Sequence, residues 1–211
     1  ENFDNCILSP GREVNINGNP NAVWYVDSTV QNNDNNGQSM NGSCFLFIDD
    51  DAAGNQTPAY VIDFVSPPFN TLQYPTVELS LDVHYRDWPQ ANEYFEVLVT
   101  DGTTETPLRR FDQTSATGSN LTQFVTLKYD LSLIAPAANL RLILRYDDDG
   151  GFCWWAGVDN ISVVGKGVGT NVIGQNFNAC DKPAGWETQI MSGDDDWLFG
   201  KATASGSAGT E

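Results

Sequence analysis

The chain reads as a succession of short apolar or alternating runs, each closed by turn-forming residues, with no stretch of sustained 3.6-residue periodicity. Residues 44–48 are apolar and stop at Asp49, Asp50 and Asp51; residues 60–65 end at Ser66-Pro67-Pro68. In 77–85, Val77, Leu79, Leu81, Val83 and Tyr85 fall on one face, the period-two signature of a half-buried strand. Residues 94–100 run into the Asp101-Gly102 turn, and 124–129, 140–146 and 158–164 complete the series. Strands at this spacing without intervening helices predict an all-β chain of two antiparallel sheets packed face to face, a β-sandwich. Periodicity leaves a jelly roll and an immunoglobulin-like topology equally open.

The opening recurs. Glu1-Asn2-Phe3-Asp4-Asn5-Cys6 matches Gln175-Asn176-Phe177-Asn178-Ala179-Cys180 in register, Pro10-Gly11 is answered by Ala184-Gly185, and Trp24 by Trp197 after a one-residue slip. A glycine-rich stretch, Gly165-Lys166-Gly167-Val168-Gly169, separates the copies and reads as a flexible connector. The expected organisation is a complete module over 1–165, a linker over 166–174, and the start of a second copy over 175–211. The opening on Glu1 reads as a mature or excised end.

Charge narrows the partners. With 28 acidic against 10 basic residues the formal net charge is −18, which argues against nucleic acid and anionic membrane surfaces. No apolar run approaches the length that spans a bilayer. Four cysteines, Cys6, Cys44, Cys153 and Cys180, lack zinc-site spacing, and with abundant Asn, Gly and Thr they suit an extracellular protein. Three pairings are open. Because Cys180 repeats Cys6, a Cys6–Cys44 bridge with Cys153–Cys180 stapling one module to the next would use all four. Catalysis has little support: His84 is the only histidine, and no nucleophile motif surrounds it.

Several strings fall in a recognisable order: the opening E-x-F-D, a Trp some twenty residues on, Val65-Ser66-Pro67-Pro68-Phe69, 93–99, and Arg145-Tyr146 before Asp147, Asp148 and Asp149. The closing string is Trp155-Ala156-Gly157-Val158-Asp159-Asn160-Ile161-Ser162-Val163. This order resembles the cleaved-adhesin and MAM-like jelly-roll modules of secreted or cell-surface Bacteroidetes-type proteins, including gingipain adhesin repeats. The resemblance covers about 1–165 and implies a jelly roll, often in tandem, often calcium-bound, serving adhesion or surface scaffolding. Such a module would act in a longer array or filament, its partners neighbouring repeats, copies of the same chain, or a glycan or other cell-surface ligand. The alternative is a carbohydrate-binding accessory module of a secreted hydrolase or protease. One departure is Arg12 after Gly11, where the family has Gly-Trp, as at Gly185-Trp186.

Calcium takes six to eight hard oxygens. The resemblance nominates Glu1, Asp4, Asp49, Asp50, Asp51 and Asp159, tying the opening of the chain to its closing strand. Aromatic planes stack on the C–H faces of sugars while Asp and Asn take the hydroxyls. Tyr85, Trp88, Trp154 and Trp155 are the expected glycan-contacting residues.

Overall fold

The computed structural model describes residues 1–167 except for 2, 9, 31–36, 39–41, 55–57, 88–91, 115–122, 135–136 and 152–153. The chain divides after Val168, inside the expected linker. Trp88, Cys153, Cys180 and the whole second copy lie outside the described residues.

The described chain forms two five-stranded sheets and a short ribbon. The strands are β1 (Glu13–Asn17), β2 (Trp24–Asp27), β3 (Thr29–Val30), β4 (Gly37–Gln38), β5 (Phe45–Asp49), β6 (Val61–Val65), β7 (Thr76–Arg86), β8 (Tyr94–Thr100), β9 (Glu105–Phe111), β10 (Val125–Asp130), β11 (Arg141–Asp147) and β12 (Trp155–Lys166). One sheet runs β1-β6-β11-β8-β9 and the other β10-β7-β12-β5-β2, with β3 and β4 paired separately. Every pairing is antiparallel. From β5 onward the chain changes sheet at each step except the β8–β9 hairpin. That is jelly-roll wiring, and it separates the two topologies that periodicity left open. One helical turn, α1 (Asp50–Ala53), and a 3₁₀ turn at Leu131–Leu133 are the helical elements described.

The inner faces follow the alternation. Val77, Leu79, Leu81, Val83 and Tyr85 of β7 are buried against Ile62 and Phe64 of β6, Phe95, Val97 and Val99 of β8, and Leu142, Leu144 and Tyr146 of β11. Strands β1, β2 and β9, absent from the expected series, lie at sheet edges. β9 carries Pro107, tolerated there because an edge strand has a free side and the β8–β9 register shifts beside it.

The recurring opening has a packing role. Phe3 is fully buried in the core, and Glu1 exchanges backbone hydrogen bonds with Ile161 of β12. Cys6 is bonded to Cys44 at the mouth of β5, the first of the two bridges that would use all four cysteines. Arg12, where the family pattern differs, pairs with Glu1 and lies over the Phe64 ring at 5.9 Å. Trp24 is buried edge-on against Phe64, a core role.

Candidate functional site

Because Ile62 and Phe64, Leu144 and Tyr146, and Phe95 and Val97 point into the core, their neighbours must point outward from the first sheet. The register aligns them in rows. Asn17, Val61, Asp147 and Tyr94 lie side by side across β1, β6, β11 and β8. The next row is Asn15, Asp63, Arg145, Glu96 and, on β9, Arg110. On this face a cleft of about 400 Å³ is lined by Asn15, Ile16, Asn17, Val61, Asp63, Tyr94 and Arg145. Its volume falls within the range of small-ligand sites.

The cleft is held in shape by charge-assisted hydrogen bonds. Arg145 binds Asp63 through Nε and Nη2 at 2.8 and 2.9 Å, and Glu105 through Nη1 and Nη2 at 2.8 and 3.0 Å. Both carboxylates keep the guanidinium more firmly protonated than an ordinary arginine, and Arg145 in turn lowers the Glu105 carboxyl. Arg110 lies 3.5 Å from the Tyr94 ring centroid, and its Nε is 3.0 Å from Asp112. Burial, then the neighbouring Asp147, raises the Tyr94 phenol, while burial raises Glu96 against the pull of Arg110 and Arg145. A tyrosine ring, two asparagine amides and a pinned Arg–Asp pair on a rigid sheet suit a flat polyhydroxylated ligand.

The expected calcium ligands divide into two groups. Asp159 lies in β12 at an irregularity where the register with β7 shifts, opposite Asp82. It is 1% exposed, and among the described residues its Oδ2 has no hydrogen-bond partner. Burial, reinforced by the charges of Asp4 and Asp82, pushes its carboxyl up to about 6, while the Asn160 amide and the amino group of Glu1 pull it down. Asp4 and the amino group of Glu1 therefore lie within electrostatic reach of Asp159, while the Glu1 carboxylate pairs with Arg12. Asp82, which the sequence reading missed, joins them; it accepts from the Thr126 hydroxyl and the Asn160 amide.

Asp49, Asp50 and Asp51 are elsewhere. Asp49 pairs with Trp155, four residues from Asp159 and so about 13 Å along the strand. Asp49 caps α1 through the Ala52 N–H, and Asp50 is buried, accepting from the Tyr60 hydroxyl at 2.7 Å. The same Tyr60 donates its backbone N–H to Asp148 at 2.7 Å, so this second acidic group is a core network. Among the described residues, no three His, Cys, Asp or Glu side chains are gathered closely enough to hold a metal ion as they stand.

A third group closes one end of the sandwich. Asp87 and Glu93 are 5% and 0% exposed, and their side chains are hydrogen-bonded to each other. Two carboxyls in such contact share a proton. The Tyr146 hydroxyl donates to Glu93 at 2.7 Å, and Tyr85 donates to its carbonyl at 3.3 Å.

The expected aromatic platform is corrected. Tyr85 and Trp155 are fully buried, so neither can stack on a sugar arriving from solvent. Tyr85 lies on the apolar face of β7 with Val83 and Leu81, and Trp155 packs with Phe45 on the outer face of the second sheet. Trp154 is half-buried, with Arg86 5.7 Å from its ring. His84 is buried against Trp155 and Phe124, at centroid distances of 4.3 and 5.3 Å, and is not presented to a substrate.

No protein-family model matches the chain, and no curated protein matches it. Among solved structures, the K1 cleaved adhesin domain of Lys-gingipain from Porphyromonas gingivalis W83 aligns over 79% of this chain and 97% of its own, with TM-score 0.50 and 12% identity. A structure of carbohydrate-binding modules from the β-sandwich superfamily aligns over 77% of this chain and 60% of its own, at 11% identity and TM-score 0.49. The enzymatically active domain of bacteriophage CBA120 tailspike protein 4 aligns over 78% and 20%, at 8% identity and TM-score 0.48. The chain thus spans a fifth of the tailspike structure and three-fifths of the module structure. At these identities the alignment with the adhesin domain supports the β-sandwich fold and nothing further.

Proposed function

We propose that residues 1–167 form a non-catalytic, extracellular carbohydrate-binding module of the adhesive kind, its ligand lying across the outer face of the first sheet. The carrying observation is the cleft of about 400 Å³ in which Tyr94, Asn15, Asn17, Asp63 and Arg145 converge. Sugar recognition needs an apolar plane and fixed polar groups, and here both stand on strands whose register is set by the core beneath. The Cys6–Cys44 bridge suits an oxidising compartment, and no described helix is long and apolar enough to cross a membrane. Glycan-array screening followed by calorimetry tests the reading. Tyr94→Ala is expected to weaken any glycan hit at least tenfold; unchanged affinity would move the site off this face.

Calcium belongs to this reading at one place only. The orphaned, buried Oδ2 of Asp159 beside Asp4 and Asp82 has the hard-oxygen chemistry a divalent cation takes. Asp159 and Asp4 would hold it, and the cation would offset their mutual repulsion; Glu1, whose carboxylate pairs with Arg12, would join only by leaving that pair. Asp49, Asp50 and Asp51 would not take part. Thermal melts in calcium and in EGTA decide the point: a higher midpoint in calcium, lost in Asp159→Asn, is expected, and identical midpoints would remove the ion. The recurrence of the opening at 175–180 favours use of the module in a tandem array, whose neighbours or sister chains would be further partners.

A further inference from the structure

The charge state of the cleft bears on which sugars it takes. Among the described residues Arg145 is its one lining cation, and four of its hydrogen bonds already go to carboxylates, two to Asp63 and two to Glu105. The other cations on the face are also engaged: Arg110 is paired with Asp112 and lies over Tyr94, and Arg141, farther along β11, is paired with Glu13. Against these three arginines stand Asp63, Glu96 and Asp147 in the rows of the cleft and Glu13 and Glu105 beyond them, within a chain of net charge −18. A carboxylate or sulfate entering the cleft would compete with Glu105 and Asp63 for Arg145 and would sit beside both acids. A hydroxyl faces no such obstacle, because a carboxylate oxygen already engaged by arginine retains lone pairs that accept from O–H groups.

We infer that Arg145, clamped between Asp63 and Glu105, acts as a charge filter that makes the cleft selective for neutral sugars over uronates and sulfated glycans. The inference rests on the reading of the cleft as a carbohydrate site and adds the class of sugar. Of the two clamping acids, Glu105 is the more exposed, its side chain at 46% against 16% for Asp63. It is therefore the side of the clamp that can be opened without disturbing the sheet. Glu105→Gln removes one negative charge and one of the two acceptor oxygens on that side, freeing Arg145 donor capacity toward solvent and leaving the Asp63 pair to hold the guanidinium in place.

The test is a binding panel at one fixed ionic strength. It holds neutral hexose and pentose oligosaccharides, oligogalacturonates of matched length and sulfated galactans, against the 211-residue chain and its Glu105→Gln and Arg145→Met variants. The expected result is retention of at least one neutral glycan, with acidic glycans at least tenfold weaker. Glu105→Gln should narrow that ratio by tenfold or more through a gain for the oligogalacturonates, and Arg145→Met should abolish the gain when combined with it. Binding of an acidic glycan by the unaltered chain as tightly as its neutral counterpart would overturn the filter while leaving the carbohydrate site standing. So would a Glu105→Gln variant with unchanged preference. Retention of no glycan in the panel would overturn the carbohydrate reading itself, and the filter with it. Thermal midpoints of all variants, measured alongside, separate loss of binding from loss of fold.

Discussion

Replacing Arg145 by methionine keeps much of its apolar stem and removes the guanidinium that joins three strands of the first sheet. Charge-assisted hydrogen bonds contribute about 1.5–3 kcal/mol when shielded, whereas exposed ion pairs contribute about 0.2–1 kcal/mol. The Asp63 side of the pair is mostly shielded, with side chains 20% and 16% exposed, and is bidentate. About 2 kcal/mol is appropriate there. The Glu105 side, 46% exposed on the acid, adds about 0.5 kcal/mol. Arg145→Met should therefore cost about 2.5 kcal/mol, a fall in Tm of roughly 5–10 °C for a domain of this size. Urea unfolding of Arg145→Met, Asp63→Asn and the double variant gives the coupling directly. A coupling of about 1.5 kcal/mol or more between the two residues is expected. A value below about 0.5 kcal/mol would mean that water screens the pair as it does an ordinary surface pair, and the cleft would lose its claim to a pinned polar centre.

Other consequences are equally open to measurement. Reducing or replacing Cys6–Cys44, which closes a loop of 38 residues, should cost up to about 4 kcal/mol in denaturant unfolding if chain entropy dominates; a loss under about 1 kcal/mol would show the opening segment holds without it. Gly18→Ala should cost about 3 kcal/mol, because φ is +112° and the new Cβ would lie 1.9 Å from the Ala59 carbonyl oxygen; a neutral result by calorimetry would contradict the local geometry. Burial, then the charge of Asp112, raises the Asp87 carboxyl, against the opposing hydrogen bond from Glu93. The folded state therefore holds a proton that the unfolded chain releases, and this contribution to stability falls as pH rises from the ordinary aspartate range through the raised value. Asp87→Asn keeps a donor without the charge and should flatten that part of the Tm-against-pH curve; an unchanged slope would place it elsewhere.

The sequence carried the sandwich because its inner strands alternate. The apolar positions of β7 are the buried ones, and the runs at 44–48, 60–65, 94–100, 124–129 and 140–146 each coincide with a strand to within a residue, while β12 begins three residues before its run. Two edge strands, β1 and β9, were hidden for a physical reason. β1 is exposed along its whole length, and β9 contains a proline, so neither shows the half-buried pattern that identifies a strand. Tyr85 shared its face with four apolar residues, a signal that already favoured the core over a sugar platform. The acid runs were legible as acids, but not which of them meet. Asp82 looks like any polar position of an alternating strand, and only the pairing of β7 with β12 brings it to Asp159. The cleft was less legible still: Asn15, Asp63, Tyr94 and Arg145 come from four strands, and their adjacency is a product of register across the sheet. The available hint was a charge inside otherwise buried strands, Asp63 between Ile62 and Phe64, and Arg145 between Leu144 and Tyr146.

The most direct test of the binding face is a backbone amide NMR titration of the chain with a neutral oligosaccharide retained on the panel. Shift changes should cluster at Asn15, Asn17, Asp63, Tyr94 and Arg145 and vanish in Tyr94→Ala. Changes concentrated instead on the outer face of the second sheet, around Phe47 and Tyr25, would contradict the account.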